Sequence, residues 1–99
     1  MRWAFMEGER DVGHLYVYIL YNDLHQQPFA FIEDVFVEPT HRGRGIGAEL
    51  VRQALREAMD RRCYKIIATS RFSRTAVHAW YEKEFGLEHW GHEFRLTLA

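Results

Sequence analysis

The residues with the most chemical potential lie between 35 and 48, in the run Val-Phe-Val-Glu-Pro-Thr-His-Arg-Gly-Arg-Gly-Ile-Gly-Ala. An apolar, β-branched and aromatic segment ends at Pro39. An Arg/Gly-rich loop follows and opens a stretch with helical apolar spacing. A helix start presents unpaired backbone N–H groups and the positive end of the helix dipole. Gly43, Gly45 and Gly47 let an anion approach the main chain closely. Arg42 and Arg44 add charge that suits phosphate oxygens. The chemistry this predicts is recognition of a pyrophosphate. Two other readings exist. One is a plain helix entry. The other is a dinucleotide fingerprint, matched by Gly43-x-Gly45-x-x-Ala48, although that motif belongs after the first strand of an alternating unit.

The elements that must position this loop can be read from periodicity. Residues 3–7, 15–21 and 28–37 are rich in strand formers, and Pro39 stops the third. Ile46, Leu50, Val51, Ala54, Leu55, Ala58 and Met59 recur at helical spacing, which predicts a helix from Gly45 to about Arg61. A strand over 64–69 follows. Ser73 is a candidate N-cap for a second helix from Arg74 to about Phe85, ended by Gly86. Segments 87–90 and 93–98 read as a closing hairpin around Gly91. The predicted order is β-β-β-α-β-α-β-β. This is an α/β chain with a mixed α+β sheet, a helix on each side and a parallel pairing at the central strand-helix-strand step.

With 99 residues, the expectation is a single domain, 1–99, around one core. Thirteen basic against 14 acidic residues, net −1, argue against nucleic acid and anionic membrane as partners. The first residues lack the apolar run of a signal peptide, and the longest uncharged stretch is too short to cross a bilayer. One cysteine, Cys63, fits a reducing, cytoplasmic setting and reads as a small packed thiol. His89-x-x-His92 has no supporting ligand set, so no metal is expected. His78, one turn before Tyr81, reads as a packing or surface histidine.

Arg42, Gly45 and Gly47 in the spacing Arg-x-x-Gly-x-Gly follow Val37-Glu38-Pro39, and residues 74–87 supply a later helix with a Tyr and a Gly. Together these pieces resemble the GNAT family of N-acetyltransferases over about residues 12–98. Segment 32–37 is similar to the corresponding strand of diamine and glucosamine-6-phosphate acetyltransferases. Family members usually begin with a further strand and two helices, so this resemblance implies an open site, or one completed in a homodimer. It also implies acetyl-CoA as co-substrate. Arg42, Gly43, Arg44, Gly45, Ile46, Gly47 and Ala48 would hold its pyrophosphate. The main chain of Val35, Phe36 and Val37 would hold its pantetheine arm, with the Val37 amide as oxyanion donor. Arg74 stands where many members place an Asn against CoA. Glu33 is the implied base and Tyr81 the acid that protonates the departing thiolate. Asp34 should point to the opposite face from Glu33 and can join it only if a bulge breaks the alternation. The implied function is acetyl transfer to a primary amine, with a small-molecule acceptor. The alternative is a module that binds CoA or an acyl-CoA without turnover.

Overall fold

The computed structural model describes residues 1–70, 75–91 and 93–98. It divides into two compact units, Met1–Ala68 and Thr69–Ala99. The first unit holds strands β1 (Arg2–Glu7), β2 (Arg10–Leu20), β3 (Phe29–Val37) and β4 (Ile66–Ala68), with helix α1 (Ile46–Asp60) between β3 and β4. The sheet order is β1-β2-β3-β4. The first two pairings are antiparallel and β3 with β4 is parallel, as a helical crossover requires.

Alternation builds this sheet. Leu15 and Val17 of β2 and Ala30 and Ile32 of β3 are fully or almost fully buried. Their face meets α1, whose Ile46, Leu50, Val51, Ala54 and Ala58 form the matching buried stripe. Gly13 permits the close approach at the helix start. A Cβ there would lie 2.9 Å from Ile46 Cγ2 and 3.2 Å from the Phe36 carbonyl oxygen. The strand β2 begins at Arg10, five residues earlier than the apolar pattern alone predicts. Arg10 and Asp11 are poor strand formers, but pairing with Glu7 and Met6 across a two-residue turn recruits them. Conversely β4 is shorter than expected, three residues instead of six.

The second unit carries helix α2 (Thr75–Phe85). The expected stop holds: Gly86 has φ 69°, and its N–H donates to the Glu82 carbonyl at 3.2 Å. Ser73 and Arg74 lie outside the described residues. The predicted hairpin does not form: 87–91 and 93–98 have no strand structure. Trp90, Phe94, Leu96 and Leu98 are each more than four-fifths exposed. An alternating pattern becomes a strand only when it gains a paired neighbour and a face to bury, and these side chains have no such face. Among the described residues, no helix is long and apolar enough to cross a membrane.

Candidate active site

The strand β3 carries one more residue than its partner. His14 pairs with Phe36 and Tyr16 with Glu33, so Asp34 and Val35 together face Leu15. This is a β-bulge, and Asp34 takes the left-handed backbone at φ 55°. Aspartate is one of the few non-glycine residues that tolerate it. The bulge changes the phase of the strand. Glu33 and Phe36, three apart, now share the face of Tyr16 and His14, opposite the core.

That face forms an open cleft of about 550 Å³ lined by His14, Tyr16, Asp34, Val35 and Phe36. Glu33 sits at the register position of Tyr16 beside it, half-buried. The described ion pairs of this unit use Asp11, Glu38, Glu7, Glu49 and Glu57, not Glu33 or Asp34. The cleft wall is aromatic. His14 and Phe36 ring centroids are 5.2 Å apart, and Tyr16 and Tyr18 stack at 6.4 Å. Behind His14, its Nδ1 lies 3.2 Å from Asp11 Oδ2, and Arg2 pairs with the same oxygen. Partial burial alone would raise the Asp11 carboxyl; the hydrogen bond and charge of Arg2, with help from His14, outweigh it and hold Asp11 below the usual carboxylate range. Sequence reasoning singled out neither His14 nor Asp11. The alternation His14-x-Tyr16-x-Tyr18 against buried Leu15 and Val17 was the available signal.

The β3–β4 ladder ends at the Ile32–Ala68 pair, while β2 follows β3 on to Val37. The Glu38 N–H donates to the Val12 carbonyl on β2 at 2.9 Å. By strand alternation the Val37 N–H therefore points to the other edge, where the parallel pairing has stopped. The Val37 carbonyl on that edge accepts from Arg42 Nε at 3.2 Å.

The chain then turns through a short 3₁₀ segment, Pro39–His41. His41 is buried and fixes the turn from beneath. Its Nε2 lies 3.0 Å from Glu7 Oε2, and its Nδ1 lies 2.9 Å from Thr40 Oγ. Gly43 and Gly45 follow at φ 82° and 79°, with open space where a side chain would stand. Gly45 is the N-cap of α1 and contributes no side-chain hydrogen bond to it. Ile46, Gly47 and Ala48 form the first turn behind it, and Arg42 and Arg44 are exposed on the loop.

In the second unit Tyr81 lies on α2 and is buried, its ring centroid 5.2 Å from that of Trp80. His78 lies one turn before it, with its ring near His89. Arg74 and His92 lie outside the described residues. Cys63 is half-buried next to the end of α1, and desolvation raises its thiol above the usual range. It is thus not poised as a nucleophile.

A three-stranded antiparallel meander, a crossover helix entered through a left-handed glycine loop, and a parallel strand that stops short of a bulge define an acetyltransferase-type fold. The chain belongs to the acetyltransferase (GNAT) family, whose model matches residues 2–87. A thialysine N-epsilon-acetyltransferase of Sus scrofa is 31% identical over 82% of this chain and 43% of its own length. A glucosamine 6-phosphate N-acetyltransferase of Oryza sativa subsp. japonica is 40% identical over 48% of this chain and 29% of its own. The chain therefore spans less than half the length of these curated relatives. Among solved structures, an acetyltransferase from Agrobacterium tumefaciens superposes with TM-score 0.86 at 31% identity, over 96% of this chain and 66% of that one. A transcriptional regulator from Bacillus halodurans gives 0.88 at 29% identity, over 96% and 63%.

Proposed function

We propose that this chain transfers the acetyl group of acetyl-CoA to the primary amine of a small molecule. One observation carries the reading: two left-handed glycines deliver the chain into an α1 start without a side-chain cap, next to a β3 edge that points the Val37 N–H away from the sheet. The loop geometry fits a pyrophosphate, because Gly43 to Ala48 can turn main-chain N–H groups to its oxygens and Arg42 and Arg44 flank it. Val35, Phe36 and Val37 would align the pantetheine arm, and the Val37 amide would hold the carbonyl oxygen as it gains charge. The amine nitrogen forms its bond to the thioester carbon, and the C–S bond breaks. Glu33, brought to the cleft face, is the carboxylate base, with Asp34 beside it. Tyr81 is the acid that returns a proton to the thiolate.

The relatives named for thialysine and glucosamine 6-phosphate support a small-molecule acceptor. A homodimer and a cytoplasmic setting belong to the same reading. Sedimentation at micromolar concentration that shows only the monomer mass overturns the dimer.

The test measures free thiol released from acetyl-CoA with a panel of polyamines, amino sugars, amino acids and short peptides. Amine-dependent release from a small-molecule class is the expected result. Acetyl-CoA binding without release from any amine would replace the enzyme with a CoA-binding module, and neither binding nor release would remove both.

A further inference from the structure

An ammonium must lose two protons to become an amide nitrogen, and the reading above supplies one base. The cleft holds a second candidate. We propose that His14 takes the first proton from the acceptor ammonium, with Asp11 as its positioning residue; this rests on the acetyl-transfer reading of the same site.

The geometry is that of an oriented imidazole. Asp11 is held from three directions: its Oδ1 accepts the Gly13 N–H at 3.0 Å, and its Oδ2 meets both Arg2 and His14. An ionised carboxylate only accepts, so Nδ1 of His14 carries the hydrogen and Nε2 of the neutral ring keeps its lone pair. Asp11 is not part of the cleft wall, whereas His14 is. With Nδ1 turned back to Asp11, Nε2 occupies the far side of the ring. Phe36 and the edge of Tyr16 confine the ring, with centroids at 5.2 and 6.1 Å, and the His14 side chain is 26% exposed. Asp34 in the same cleft and Glu33 on the same face supply the negative charge that draws an ammonium in.

The steps balance. Nε2 accepts one proton from the ammonium, giving an imidazolium opposite Asp11 and a neutral amine. The amine attacks the thioester carbon, Glu33 removes the second nitrogen proton, and the C–S bond breaks as Tyr81 protonates sulfur. The imidazolium then releases its proton to solvent, and the proton taken by Glu33 is returned through solvent to the Tyr81 phenolate, so that one proton is released per turnover. The charged and titratable groups around His14 are Arg2 from β1, Asp11 and Tyr16 from β2, and Glu33 and Asp34 from β3.

The experiment compares wild type, His14→Gln, His14→Ala and Asp11→Asn with the amine that wild type uses. It records thiol release across neutral pH and, separately, acetyl-CoA binding. His14→Gln is expected to lose about 100-fold or more in turnover, with acetyl-CoA binding unchanged. Free imidazole is expected to restore part of the activity of His14→Ala. Asp11→Asn removes the charge and, with an N–H in place of one acceptor oxygen, cannot take all three hydrogen bonds; turnover should fall and the acidic limb of the pH profile should move to lower pH. Near-wild-type turnover in His14→Gln overturns the proposal. If the His14 variants do not fold, an unmoved limb in Asp11→Asn overturns it. Wild type that turns over while these variants match it defeats this inference alone; wild type that never turns over defeats the acetyl-transfer reading as well.

Discussion

Gly45 has open space around its missing side chain, so a substitution there acts through backbone conformation alone. Gly45→Ala at φ 79° is expected to cost about 1–2 kcal/mol and to weaken acetyl-CoA binding as the loop relaxes; urea unfolding and calorimetric titration would show both. Asp11 bears on pH. Its folded-state affinity for a proton is depressed, so its contribution is present above the unfolded value near pH 4 and disappears as pH falls through the lower folded value. The stability gap between wild type and Asp11→Asn should therefore shrink below pH 4, as thermal melts in acid would show. At this scale the sequence showed the glycine loop plainly, since residue types alone carry it. The His14–Asp11 contact was illegible, because it depends on ring direction and on Arg2 arriving from another strand. Asp34 lay between: its route into the cleft required a bulge, and no residue in 33–36 announces one.

The elements show where local pattern suffices and where partners decide. The α1 helix and the first three strands follow from apolar spacing, and the structure keeps them with shifted ends. The closing hairpin had equally good alternation at 93–98 and does not form, because periodicity states which side chains agree and not what they pack on. The junction of β2 with α1 was invisible for a related reason: a glycine inside a strand marks a close approach without naming what approaches. Gly13→Ala would press a methyl against Ile46 and the Phe36 carbonyl. The expected cost is about 1–3 kcal/mol, with a lower thermal midpoint and weaker acetyl-CoA binding, since Ile46 begins the helix that the loop enters.

For the molecule as a whole, protection should follow burial. Amide exchange is expected to be slowest in β2, β3 and α1, which share the fully buried Leu15, Val17, Ile32 and Val51. Segment 93–98 should exchange at rates near those of an unstructured peptide, measured by mass spectrometry of native-state peptides. The bulge has a wider consequence. It acts as a frameshift in the alternation of faces: Ala30 and Ile32 are read in one frame by the core, and Phe36 in the other by the cleft. Strand length here is thus a coding variable. Losing one residue between 33 and 36 would restore plain alternation and leave Phe36 opposite His14 on the cleft face, whereas losing two would bring Phe36 opposite Leu15 and turn it to the core. Natural length variation at this point of the strand should accordingly be of a single residue, the bulged one.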